Sequence, residues 1–221
     1  MNKRVLPLIG IFLCFITGMR AQSDTLKHPE QFLFPEFSRG KVSMKTGNNL
    51  DLLLNYNIIS EKMVFVQNGK ILGLGNSGSV DTIYILDKKL VPVGKAFFVV
   101  LAENPVSIFI QYKGSIQQPP KMDSYGRASE ASSTTSVNSL KVGKEFYTLT
   151  DQDIVIKKEI VYWIRLNNSM QSFRDANQLI KIFPDFKNEI RLYIKQNKPK
   201  FVNSDDILKL TSYCNGLVKS V

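Results

Sequence analysis

A chain of 221 residues with 29 Lys and Arg against 19 Asp and Glu, a formal net charge of +10, is long enough to bury a core without covalent staples. Two cysteines exclude a disulfide-built scaffold, and a single histidine, His28 beside Pro29, offers no histidine cluster for a metal. The basic excess favours anionic partners.

The chain opens with Asn2, Lys3 and Arg4, runs without charge from Val5 to Ile16, and reaches Ala21-Gln22 through Thr17-Gly18-Met19-Arg20. That is the layout of a secretory signal peptide over residues 1–21, and the apolar run is shorter than the roughly 20 residues a spanning helix needs. Leu13 stands before Cys14 where a lipidation signal carries a small residue, so Cys14 is expected to leave with the leader. Cleavage after Ala21 removes Lys3, Arg4 and Arg20, lowering the formal charge from +10 to +7, and leaves Cys214 as the sole thiol. No transmembrane anchor is then expected. An exported chain rarely meets nucleic acid, and no nucleic-acid partner is expected.

Residues 22–118 read as β-rich after a polar start. Phe32 to Phe37 is aromatic and extended, with Pro35 marking an edge or a strand end. In Lys41 to Lys45, Val42 and Met44 share one face while Lys41, Ser43 and Lys45 take the other, the alternation of a half-buried strand. Leu50 to Tyr56 follows. Then Lys62 to Leu74 sets two short apolar runs around Asn68-Gly69, a pair that takes φ > 0 readily in a tight hairpin. The neighbouring strands are expected to be organised around this hairpin as an antiparallel meander.

Gly73 to Gly78 is glycine-rich, but the strand-like Val80 to Leu86 follows where a phosphate loop requires a helix. It reads as an ordinary loop. Ala96 to Leu101 is continuously apolar, and Val106, Ile108, Ile110 and Tyr112 alternate with polar neighbours after the Glu103-Asn104-Pro105 turn.

Residues 119–140 break the pattern with a Ser/Thr-rich stretch, Ala128 to Ser136, that has little apolar surface to offset ordering. A flexible loop is expected. Tyr125 and Arg127, flanking Gly126 on it, are the candidate partner-binding residues. Residues 141–172 resume strand composition in Phe146 to Leu149 and Ile154 to Leu166, with Trp163 assigned to the core and a turn at Asn167-Asn168-Ser169.

Over residues 173–221 the period becomes helical. Helices are expected over Asp175 to Phe183, over Asp185 to Gln196, and in a third that Asn203 or Ser204 caps, Ile207, Leu210, Thr211 and Cys214 stripe, and Gly216 stops. Lys187, Arg191 and Lys195 share one helix face and are a candidate contact for an anionic surface.

The expected fold class is α+β: a mainly antiparallel β sandwich, roll or partly open barrel followed by a small helical C-terminal segment. The order Leu54-Asn55-Tyr56-Asn57, the hairpin, Tyr125-Gly126 before a Ser/Thr-rich loop, Phe183-Pro184-Asp185 and Tyr213-Cys214 resembles exported, functionally uncharacterised Bacteroidetes-type proteins. The resemblance covers most of the mature chain and implies export; it supplies neither an activity nor a catalytic residue. It also implies that Asp24-Thr25-Leu26 and Asp81-Thr82-Ile83 look like O-glycan sites.

The reading is an exported cell-envelope protein, periplasmic, envelope-associated or secreted, that acts as a binding module for an envelope protein or glycan. No catalytic, metal or cofactor residue is assigned. The alternative is a carboxylate-dependent hydrolase of envelope glycan, whose two acids would be assembled in space rather than by spacing. The sequence leaves the oligomeric state open.

Overall fold

The structure, a computed structural model, describes residues 29–103, 106–117, 134–135, 155–166 and 169–219. The expected signal peptide, His28 and the Phe146 to Leu149 strand lie outside these residues, as does most of the 119–140 loop.

The protein is an α+β fold built on one antiparallel sheet. Its strands are β1 (Ser38–Met44), β2 (Asn49–Asn57), β3 (Lys62–Gln67), β4 (Lys70–Gly73), β5 (Val80–Ile85), β6 (Lys88–Val93), β7 (Ala96–Ala102), β8 (Ser107–Gln117), β9 (Thr134–Thr135), β10 (Val155–Leu166) and β11 (Ser169–Phe173). The order across the sheet is β11-β10-β8-β7-β6-β5-β1-β2-β3-β4, with β9 added to β8. Two meanders therefore meet where β5 returns to pair with β1. A two-sheet sandwich is replaced by a single open sheet.

Asn68 and Gly69 both have positive φ, 51° and 73°, and Gln67 pairs with Lys70, the type I′ geometry this dipeptide favours. The hairpin sits at the sheet edge, however, rather than at its centre. The sheet is organised instead by an apolar row running through register partners: Val42, Ile83, Leu90, Val99, Ile110, Tyr162 and Phe173. All are buried on the inner face. A one-residue slip in any strand would turn its member of this row outward, which specifies the register.

The open sheet curls enough to bring β8 against the turn that follows β2. The Gly114 amide of β8 donates to the Ile58 carbonyl beyond β2 at 2.8 Å, although β1, β5, β6 and β7 lie between those two strands. Glu61, held at φ 55° in the β2–β3 turn, adds to this closure by accepting from Gln111 Nε2 at 2.5 Å and pairing with Lys113 at 3.5 Å.

Three helices follow, α1 (Ala176–Ile182), α2 (Lys187–Asn197) and α3 (Ser204–Lys219). Asp175 caps α1 by accepting from the Gln178 amide at 2.9 Å, and Asn203 caps α3 by accepting from Asp205 at 2.9 Å. Leu179, Ile180, Phe183, Ile190, Ile207, Leu210 and Cys214 join the core cluster of the sheet. Gly216 does not stop α3, because Leu217 packs against that cluster. That contact outweighs the roughly 1 kcal/mol helix cost of glycine. No helix among the described residues is long and apolar enough to cross a membrane.

Candidate functional site

The outer face of the sheet opposes this core, and its chemistry follows from the register. β1 and β2 place Arg39 beside Leu53 and Lys41 beside Asp51, while β5 brings Tyr84 beside Lys41. Gly40, between Arg39 and Lys41, sets the spacing. A Cβ there would lie 2.6 Å from the Tyr84 carbonyl oxygen, so only glycine lets β1 and β5 approach at this point.

These residues, with Leu86, line an open groove of about 770 Å³. Leu53, Tyr84 and Leu86 are 43%, 47% and 64% exposed, an apolar and aromatic patch framed by charges of both signs. Among the described residues no ion pair engages Arg39, Lys41 or Asp51, even though Lys41 and Asp51 are register partners. Leu86 occupies the first position of the two-residue turn between Ile85 and Lys88 with φ 52°, a conformation that ordinarily selects glycine. On one flank, Lys89 donates to Glu103 at 2.6 Å, and this hydrogen bond first of all raises the lysine's pKa.

A second polar cluster lies where the curled sheet closes. Trp163 Nε1 donates to Gln111 Oε1 at 2.9 Å, and Gln111 in turn reaches Glu61. Trp163 is half-buried, tilted against Phe98 at 5.6 Å, so its ring is part of the packing with its polar edge tied down. Tyr56 is buried close by, and its hydroxyl has no hydrogen-bond partner among the described groups. Burial, and secondarily the charge of Glu61, push its ionisation far above the usual tyrosine range, with the Phe97 backbone opposing the rise. Trp163, Gln111 and Glu61 are tied to one another, which makes these three a clasp rather than a binding surface.

Of the residues singled out from sequence, Lys187, Arg191 and Lys195 lie exposed on α2, away from the sheet groove. Tyr125 and Arg127 lie outside the described residues. Thr82 of the Asp81-Thr82-Ile83 tripeptide is buried in β5, and its hydroxyl donates to Asp81 at 3.0 Å, so the folded chain does not present it to a glycosylating enzyme. The groove contains Asp51 alone among its described carboxylates; the paired acids of a glycan hydrolase are not assembled there.

Sequence reasoning missed the groove. Its available signal was Leu53, an apolar residue out of phase with Leu52 and Leu54, and the uninterrupted apolar stretch from Ile83 that runs past the end of β5 to Leu86. Neither a protein-family model, nor a curated protein, nor a solved structure matches the chain.

Proposed function

We propose that the protein is an exported cell-envelope binding module that receives a polypeptide partner on the outer face of β1, β2 and β5. The observation that carries this reading is the exposure of Leu53, Tyr84 and Leu86 together beside Arg39, Lys41 and Asp51. An aromatic and aliphatic centre with a charged rim is the anatomy of a protein interface, in which a few tyrosine and arginine contacts carry most of the binding energy and the surrounding apolar contacts exclude water. The basic start and apolar run before Ala21 support export.

The test places a photo-crosslinking residue at Tyr84 in the producing cell, with a control at Glu189 on exposed α2. A discrete polypeptide adduct at position 84 and none at 189 is expected. Equal yields at both positions would overturn the groove reading. Intact mass of the recovered chain checks export: a terminus at Gln22 agrees with it, and retention of Met1 overturns it.

A further inference from the structure

We propose that the polypeptide received by this groove is a second copy of the same chain, the two sheets packing face to face about a two-fold axis. The inference rests on the groove reading and adds the identity of the partner. Its basis is self-complementarity. In a two-fold interface, whenever residue i meets residue j of the partner, j also meets i.

An axis parallel to the strands and midway between β1 and β2 exchanges these two strands between the copies. Lys41 then faces the partner's Asp51, and Asp51 faces the partner's Lys41, because the two are register partners within each chain. Arg39 lies over the partner's Leu53 by the same relation, with its aliphatic stem against the leucine. Leu86, one strand beyond β1, falls over the partner's β3. There half-buried Val66 faces outward, since it alternates with Phe65, which packs on the core. One operation thus sets Lys41 against the opposite charge of Asp51 and Leu86 against the apolar Val66. The absence of any described ion pair at Lys41 and Asp51 leaves both groups free for it.

Leu86 supplies an independent observation. A leucine at φ 52° costs about 1–2 kcal/mol relative to right-handed backbone, and its side chain, 64% exposed, returns little to its own fold. Glycine would fill the turn without that cost. Its side chain is accounted for by burial against another surface.

Charge reversal in solution separates this geometry from other dimers. The exported chain is expected to sediment as a dimer at micromolar concentration, and Lys41→Asp and Asp51→Lys are each expected to weaken self-association by about tenfold or more. An equimolar mixture of the two variants restores the contact in both directions, so a heterodimer of intermediate mass is expected by native mass spectrometry. Leu86→Gly should weaken the dimer while its thermal unfolding is unchanged or raised, which separates binding from folding. A monomeric wild type that still yields a Tyr84 adduct with a different protein would overturn the second copy and leave the groove reading standing. A dimer indifferent to both charge reversals, or single-variant losses that mixing does not rescue, would overturn the proposed pairing. A monomer with no site-specific adduct would overturn both.

Discussion

The Gly114 amide and the Ile58 carbonyl, 2.8 Å apart, join the two ends of a curl in which the intervening strands supply the wall. The contact depends on the missing side chain of Gly114. A Cβ at that position would lie 2.9 Å from Ile58 Cγ1 and 3.1 Å from Ile59 Cγ1.

Glycine substitutions therefore report on closure and on groove geometry separately. Gly114→Ala displaces two isoleucine side chains that have some freedom to turn, whereas Gly40→Ala drives a Cβ against the Tyr84 main-chain oxygen at 2.6 Å. Both are expected to destabilise by about 1–3 kcal/mol, with Gly40→Ala the worse because backbone cannot step aside. Urea unfolding midpoints of the two variants measure the order. A milder effect at Gly40 would mean that β1 and β5 separate easily.

The single tryptophan makes the clasp visible in solution. Trp163 Nε1 is held by Gln111, which is held by Glu61, so Glu61→Ala should release the chain of contacts and red-shift the intrinsic emission. A loss of stability on the order of 1 kcal/mol is expected, because the Lys113 pair is partly exposed and screened. Emission unchanged from wild type would show that packing against Phe98 alone positions the indole.

Alkaline pH should destabilise the fold. Burial raises the Cys214 thiol from 9.0 to about 12 and the Tyr162 hydroxyl from 10.0 to about 12, and raises Tyr112 and Tyr56 in the same direction. Below pH 9 these groups are protonated in both folded and unfolded chains, and their contribution is fully present. As pH rises from 9 toward 12, the unfolded chain loses protons that the folded chain retains, so stability falls. Urea titrations at pH 7 to 11 measure the slope, which Cys214→Ala should reduce near its lower end. A profile flat to pH 11 would contradict it.

Much of the local structure was legible because it depends on neighbours in the chain. Asn68-Gly69 specified the type I′ turn, Val42 and Lys41 their opposite faces, and Ile207, Leu210, Thr211 and Cys214 the buried stripe of α3, all through backbone preference and periodicity. The pairing of β5 with β1, which brings Tyr84 beside Lys41, was not legible. A strand carries no local label for its partner; the choice is made by burying the row from Val42 to Phe173 across the sheet. The phase of Leu53 against Leu52 and Leu54 set it off the core face, but nothing in the sequence separated Leu86 from the apolar run Ile83 to Ile85. Only the tertiary curl decides which face of a strand meets the core, and it places these two residues on the side that the core does not cover.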